Sequence, residues 1–316
     1  MSHDLVVLGD LVADLIIPVE RLPIFPNQHG WAEGIFVEPG GAGNVLVAAR
    51  RLNLRVASLG AVGADRYGDE MIAMLAELGV DTKPILRCHD RQTILVLVLT
   101  DIARQHVYLG IKDRLGHWPF DQQWFSLIRQ SRALFTDGYT VRDVLAPDDI
   151  LAALAAARQA EVQVFFDPGP SIEFVAPELV RDVLQYVDVL LLTDDELGLL
   201  CDEPDSASAL RMLLERGPHM IVLKHGAAGC SVITAAERHS YPGFEVQAID
   251  TVGAGDSFAA AFIAGLLRGQ STADAATLAN AMGALVTTRR GAGTRIPPRE
   301  ELLAMLESHP SVYALV

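Results

Sequence analysis

Regular alternation of strand-like and helical segments from Ala133 onward is the feature that most constrains the fold of this chain. Short apolar runs, each long enough for one buried strand, are followed by longer amphipathic stretches. Strands that alternate with helices in this way predict a mostly parallel sheet with helices on both faces. The predicted strands are 133–135, 162–166, 189–192 and 220–223, and the predicted helices are 147–158, 177–185 and 206–215.

The rest of the chain extends this α/β pattern and interrupts it twice. Residues 14–37 and 93–111 contain short strand-like runs with no helix between them. We expect these insertions to form one small β-sheet over the main sheet, a common construction for a catalytic lid. In the second insertion, 94–100 and 106–111 form a hairpin with 101–104 at its turn. The other predicted strands are 5–9, 56–59 and 244–249, and the other predicted helices are 44–52, 67–78, 254–267, 272–288 and 299–307.

Composition narrows the class of protein. Half of the 316 residues are apolar, which is enough for a substantial core in one large domain or two smaller ones. A net charge of -15 argues against nucleic acid and anionic membranes as partners. No apolar run reaches the roughly 18 residues that a membrane helix needs. Three separated cysteines without a CxxC pair, and an N-terminus without a basic stretch, predict a cytoplasmic protein.

The segment 250–256 carries the clearest chemical signal. It opens a long apolar helix with Gly253, Ala254 and Gly255, and N–H groups at a helix start have no partners inside the helix. With the positive end of the helix dipole, those amides form a site that would stabilise a transferring phosphoryl group. Asp256 suits a general base beside an attacking hydroxyl, although an acid at a helix N-terminus also has a purely structural explanation. If Asp256 is a general base, the segment predicts phosphoryl transfer to an alcohol.

Residues 250–256, with the small residues after them, resemble the C-terminal signature of the PfkB family of carbohydrate kinases. The segment 39–44 resembles the N-terminal motif of that family, and the resemblance covers nearly the whole chain. It implies a single ribokinase-like domain over 1–316: an α/β fold with a three-layer core, a mostly parallel sheet and a small β-sheet lid from about 14–37 and 93–111. It also implies an ATP-dependent kinase that acts on a hydroxyl of a sugar or sugar-like molecule.

The resemblance places the acceptor between Asp14 and the glycine-rich segment. Asp14 looks like the acidic sugar ligand of the family, since a carboxylate accepts hydrogen bonds from two neighbouring hydroxyls. Gly40 and Gly41 would let the backbone approach a polyol closely, and the Asn44 amide both donates to and accepts from hydroxyls. Without the resemblance, Asp14 is a turn residue that faces solvent and Asn44 is a helix N-cap. Asp10 competes with Asp14 for the same role.

The resemblance places the nucleotide near the ends of later strands, where ligands gather in parallel sheets. Glu196 matches the Glu of the family's Asn-x-x-Glu motif, which acts through Mg²⁺ and bound water, and Thr193 replaces the Asn. A helix that simply starts with acids is the structural alternative. Gly226 and Gly229 match the family's nucleotide loop, and Lys224 ahead of them reaches either a phosphate or solvent.

Two further residues complete the site that the resemblance implies. Asn280 either flanks the adenine or lies on a helix face. In potassium-activated members the Asp250 segment holds a monovalent cation, so Asp250 is a candidate ligand for K⁺.

Exposed lid strands often pair between two subunits in this family, which implies a homodimer. Asp137 and Arg104 lie at strand ends near the predicted pocket, and the sequence assigns them no role.

Other functions are weighed against the same residues. A nucleoside kinase of the same fold stays open and would be favoured by a larger apolar pocket near Trp31, Phe36 and Tyr108. The segment 40–43 has no lysine that could hold a second phosphate, which argues against a phosphosugar. A catalytically silent member that only binds a ligand is disfavoured by the intact Asp256. An NAD-dependent dehydrogenase is disfavoured because the first strand-to-helix turn has no GxGxxG.

Overall fold

The structure is a computed structural model that describes residues 3–103, 105–201, 203 and 205–314. Arg104, which was predicted to lie in a turn, is outside the described residues. The strands are β1 (Leu5–Leu8), β2 (Leu11–Pro18), β3 (Phe36–Gly41), β4 (Val56–Leu59), β5 (Ala61–Gly63), β6 (Leu86–Cys88), β7 (Ile94–Thr100), β8 (His106–Ile111), β9 (Ala133–Asp137), β10 (Gln163–Asp167), β11 (Val189–Thr193), β12 (Met220–Lys224), β13 (Cys230–Ile233) and β14 (Arg238–Tyr241). The helices are α1 (Ala42–Arg51), α2 (Arg66–Glu77), α3 (Trp124–Arg129), α4 (Pro147–Gln159), α5 (Pro177–Leu184), α6 (Asp194–Leu200), α7 (Ser206–Glu215), α8 (Ala254–Leu267), α9 (Thr272–Val286), α10 (Arg299–Met305) and α11 (Pro310–Tyr313).

The main sheet has eight strands in the order β14-β13-β12-β11-β10-β9-β1-β4. The strands from β12 to β4 pair in parallel, and β13 and β14 add an antiparallel edge. The central strands are apolar on both faces because helices cover both sides of the sheet. The predicted mostly parallel sheet is therefore confirmed.

Two apolar cores flank the sheet and make the fold three layers deep. One core packs α1, α8 and α9 against one face of the sheet. The other packs α3, α4, α5 and α7 against the opposite face. Helix α8 is apolar nearly all round, since it lies between α1, α9 and the sheet. Its N-terminus is thereby held rigidly at the edge of the sheet.

A separate four-stranded sheet has the order β3-β2-β7-β8 and contains the two predicted insertions. It begins at Leu11 and extends to Gly41, a few residues beyond the predicted bounds on each side. Its register aligns Asp14 with Val96 and Gly110 on neighbouring strands. Because side chains alternate between faces, these aligned positions lie on one face of the small sheet.

One predicted strand is wrong. Residues 244–249 join no strand, and the N–H of Ile249 bonds to the Thr287 carbonyl at the end of α9. The β13–β14 hairpin forms the sheet edge instead, which the alternation at 244–249 could not reveal. Among the described residues, no helix is long and apolar enough to cross a bilayer.

Candidate active site

A cavity of about 800 Å³ lies between the main sheet and the small sheet. Four adjacent strands of the main sheet, β9 to β12, each end in a side chain that lines it. This is the edge where parallel sheets collect ligands, because every strand there points its carboxyl end the same way. The four side chains belong to Asp137, Asp167, Thr193 and Lys224.

The N-terminus of α8 opens into this cavity. Gly253 has a φ of 72° and a Cβ there would lie 2.5 Å from the Ala292 side chain, so the helix start requires glycine. Among the described residues, the N–H groups of Gly253, Gly255 and Asp256 have no acceptor. The N–H of Ala254 donates to the Thr251 carbonyl at 3.2 Å. The predicted anion site thus keeps free amides, but Ala254 does not contribute one.

Asp256 is held in place by a residue far away in the sequence. The Asn44 amide donates to Asp256 Oδ2 at 2.9 Å and accepts the N–H of Gly293 at 2.9 Å. Burial raises the pKa of Asp256 to about 6, and it outweighs the hydrogen bond from Asn44, which lowers that pKa. The carboxyl is therefore mostly ionised at neutral pH and can accept a proton. Asn44 lines the cavity and positions Asp256. Its predicted contact with the acceptor stays a prediction.

Asp14 lines the opposite wall, on the small sheet. Its carboxylate accepts no hydrogen bond from the described residues, so its oxygens are free for a ligand. A Cβ on Gly40 would lie 2.3 Å from that carboxylate, which explains the glycine there. Burial and the charges of Asp10 and Asp256 raise the pKa of Asp14 to about 7. Gly41 also lines the cavity, whereas Gly40 lies behind the Asp14 side chain.

The predicted nucleotide side contains a buried ion pair. Lys224 Nζ donates to Asp167 Oδ2 at 2.6 Å, and the lysine side chain is only 11% exposed. Although burial lowers the pKa of Lys224, the Asp167 and Glu196 carboxylates raise it above its ordinary value, so the ammonium stays charged. The sequence left two alternatives for Lys224, a phosphate or solvent, and the structure excludes solvent.

Glu196 and Thr193 form a capping box at the start of α6. Thr193 N–H donates to Glu196 Oε2 at 2.7 Å, and Glu196 N–H donates to the Thr193 hydroxyl at 3.3 Å. The structural alternative for this pair is thus realised, yet both residues also line the cavity. Glu196 Oε1 accepts no hydrogen bond from the described residues, so one oxygen is free to hold a metal through water.

Three predicted nucleotide residues do not line the cavity. Gly226 and Gly229 lie in the turn between β12 and β13, and a Cβ on Gly229 would lie 2.1 Å from the Tyr241 carbonyl. Asn280 is buried, and its amide donates to the Tyr241 and Pro242 carbonyls at 3.2 and 3.0 Å. Asn280 and Gly229 thus have structural roles at this edge of the sheet. Contact of these residues with a nucleotide stays a prediction.

Three groups surround the Asp250 carboxylate. Its Oδ1 accepts the N–H of Val252 at 3.0 Å and lies 3.2 Å from His106 Nε2, and its Oδ2 accepts the N–H of Gly291 at 2.8 Å. These contacts hold the side chain in place at the edge of the site. The described residues hold no cluster of three or more His, Cys, Asp or Glu suited to a metal ion. Binding of K⁺ at Asp250 stays a prediction.

Sequence reasoning missed part of the cavity lining. Asp167 was not among the predicted site residues, and Asp137 was assigned no role, yet both end central strands of the sheet. That strand-end position was the available signal. Lys112 and Arg142 gave no signal, because neither belongs to a motif.

Crowded carboxyls in the cavity make the ligand-free protein more stable at acid pH. Burial raises the pKa of Asp10 and Asp256 to about 6 and of Asp14 to about 7. The folded state therefore binds more protons than the unfolded state between about pH 4 and pH 7, and the free energy of unfolding falls as pH rises. We expect unfolding to be at least about 2 kcal/mol harder near pH 5 than near pH 8. Thermal melts at constant ionic strength measure this; Asp14→Asn should flatten the dependence, and a melting temperature that rises with pH would contradict it.

Known proteins share both the sequence and the fold. The sequence profile described as the pfkB family of carbohydrate kinases matches residues 2–299. Ribokinase from Haemophilus influenzae is 28% identical over 97% of this chain and 99% of that protein. An ATP-dependent ribose-1-phosphate kinase from Halopiger xanaduensis is 30% identical over 90% of this chain and 92% of that protein.

Comparison with solved structures agrees with the family match. The structure of Arabidopsis thaliana ribokinase complexed with ribose and ATP superposes with a TM-score of 0.84 at 22% identity, covering 97% of this chain and 99% of that one. The predicted ribokinase-like fold is thereby confirmed. The chain belongs to the pfkB family of carbohydrate kinases, ATP-dependent phosphotransferases whose acceptor is an alcohol group.

Proposed function

We propose that this kinase transfers the γ-phosphoryl group of ATP to a hydroxyl of a sugar-like acceptor, with Asp256 as general base. The observation that carries the proposal is the position of Asp256, at the mouth of the α8 anion site and hydrogen-bonded to Asn44. Its pKa of about 6 leaves it ionised at neutral pH while keeping it basic enough to accept a proton.

The proposed step is a direct displacement at the γ-phosphorus. The acceptor oxygen forms a bond to phosphorus as the bond to the bridging oxygen of ADP breaks, and the hydroxyl proton passes to Asp256. Free amides of Gly253 and Gly255 donate to the transferring oxygens, a contribution typically worth a few kcal/mol for each donor. Asp14, without a protein partner, orients the acceptor through its other hydroxyls.

On the nucleotide side, Lys224 and Glu196 handle the phosphates. The Lys224 ammonium offers two further donors to phosphate oxygens beyond its bond to Asp167. Glu196 Oε1 is the free carboxylate oxygen that would hold Mg²⁺ through water. When bound with ATP, Mg²⁺ neutralises charge on the phosphates. The small sheet, which forms one wall of the cavity, would act as a lid that excludes water from the reaction.

The direct test is acceptor-dependent release of ADP. The purified chain with ATP and Mg²⁺ is offered a panel of sugars, sugar phosphates, sugar acids and nucleosides, and ADP is measured by a coupled assay. We expect ADP release to rise with at least one acceptor and to stay low without one. If no acceptor raises it, the chain is a silent member of its family.

A nucleoside acceptor is not favoured. Two of the three aromatic side chains that would have formed its pocket lie outside the cavity: Trp31 is 91% exposed and Phe36 is 42% exposed. Only Tyr108 lines the cavity.

Location in the cytosol stays a prediction from the cysteine pattern.

We also propose that two copies pair through the outer face of the small sheet. Val107 and Leu109 alternate along edge strand β8 and expose 47% and 57% of their area. Exposed apolar patches of this kind mark protein interfaces. We expect Leu109→Glu to convert a dimer into a monomer in light scattering after gel filtration. Leu199→Glu, at a position of α6 that is 42% exposed, is the matched control, and a monomeric wild type would contradict the proposal.

A further inference from the structure

The cavity contains a positive end that the proposed reaction does not use. The chain has only three lysines, Lys83, Lys112 and Lys224, and two of them line this one cavity. Lys224 ends β12, on the nucleotide side. Lys112 follows β8 of the small sheet, two residues after Gly110, so it lies on the face that covers the cavity.

Arg142 lines the same end of the cavity as Lys112. It lies in the helical turn Thr140–Val144, which follows β9, and β9 is three strands away from β12 in the sheet order. The positive end is therefore on the acceptor side. The guanidinium carbon of Arg142 lies 4.4 Å from the centroid of the Phe174 ring, and this stacking holds the arginine side chain in place.

Asp143 links the two cations without neutralising them. Lys112 Nζ lies 2.9 Å from Asp143 Oδ1, and Arg142 Nε lies 3.4 Å from Asp143 Oδ2. Among the described residues, Arg142 makes no other ion pair and no hydrogen bond. Lysine carries three donors and arginine five, so most of their N–H groups are free for a ligand. One carboxylate against two cations leaves a net positive charge.

A second hollow of about 290 Å³ continues from this point. It shares Ile94, Lys112, Arg142 and Asp143 with the main cavity, and Arg114 adds a further exposed cation. Asp113 also lines the hollow, and its carboxylate is paired with Arg91 at 3.6 Å. The loop that carries Lys112 and Arg114 is held by Arg91, which donates to the carbonyls of residues 115–117 at 2.6–3.1 Å. The cations are thus presented by a braced loop.

We infer that the acceptor carries an anionic group, a phosphate or a carboxylate, and that Lys112 and Arg142 bind it. This inference rests on the proposed kinase function and names its substrate class. An anion entering this cavity meets Asp10, Asp14, Asp137 and Asp256, so it requires a local positive site. Arginine and lysine together provide the charge-assisted donors that bind phosphate and carboxylate groups. The segment 40–43 has no lysine for such a group, and Lys112, directly after β8 of the small sheet, would take that role.

The experiment compares matched acceptors with and without a charge. Ribose is paired with ribose 1-phosphate, fructose with fructose 6-phosphate, and glucose with gluconate, so that phosphate and carboxylate are tested separately. The ratio of kcat/KM for the charged over the neutral acceptor is measured in wild type, Lys112→Met, Arg142→Met and the surface control Lys83→Met. Thermal shift without ATP gives a second readout that does not require turnover.

We expect at least one charged acceptor to exceed its neutral partner about tenfold or more in kcat/KM, and to raise the melting temperature further. Lys112→Met and Arg142→Met should each lower that ratio about 10- to 100-fold, and Lys83→Met should leave it unchanged. Turnover of neutral acceptors with no preference for charge would overturn the inference while upholding the kinase function. Binding of charged sugars without any ADP release would uphold the anion site and contradict the kinase function. No thermal shift from any charged acceptor, or a ratio unchanged in both variants, would also overturn the inference.

Discussion

Replacing Asp256 with Asn is expected to lower kcat by at least about 100-fold, the low end for loss of a general base. Asparagine keeps the size of the side chain and can still meet Asn44, so the fold and the α8 N-terminus should persist. What is lost is the group that accepts the hydroxyl proton. KM for both substrates should change little, because the proton moves only in the transition state.

The pH dependence separates this role from a structural one. In the wild type, kcat should fall below about pH 6, where the Asp256 carboxyl becomes protonated. The residual activity of Asp256→Asn should lack that acid limb. Asp148→Asn is the matched control, since Asp148 also lies in the first turn of a helix, α4, but does not line the cavity. A variant with near-normal kcat would rule out Asp256 as the base.

Replacing Lys224 with Met should have the second largest effect, on both ATP use and stability. The substitution leaves Asp167 buried without its cation, and breaking a buried pair in this way typically costs about 3 kcal/mol. Loss of the phosphate contact should lower kcat/KM for ATP by about 10- to 100-fold. Because Lys224 also lowers the pKa of Asp256, the acid limb of kcat should move to higher pH.

A double variant separates the two consequences. Lys224→Met with Asp167→Asn removes both charges, so chemical denaturation should show most of the stability restored. The kcat/KM for ATP should stay low, since no cation is returned to the phosphates. Lys83→Met controls for loss of a lysine at the surface. An unchanged kcat/KM for ATP in Lys224→Met would show that the lysine serves only to pair with Asp167.

Local features of the site could be predicted well from sequence. The start of α8 leaves amides free, and this follows from the position of its residues at a helix N-terminus. Helix and strand positions in the second half followed from periodicity for the same reason. The prediction erred at 244–249, which joins no strand, because a strand requires a partner that the local sequence does not identify.

Contacts between distant segments could not be predicted. Asn44 and Asp256 are 212 residues apart, and Lys224 and Asp167 are 57 apart. Nothing local distinguishes Asp167 from an ordinary turn residue, because its function depends on which lysine the sheet brings to it. The same holds for Lys112 and Arg142, which meet only because the small sheet folds over β9 and the turn after it.

The sequence by itself determined the family, the α/β architecture and the position of the α8 N-terminus, because each depends on patterns within a few tens of residues. The tertiary structure alone decided the electrostatics of the cavity. It set which carboxyls share one cavity, which lysine is buried against them and where two further cations lie near one carboxylate. Those properties depend on distance and burial, and residues remote in sequence acquire both only when the sheets assemble.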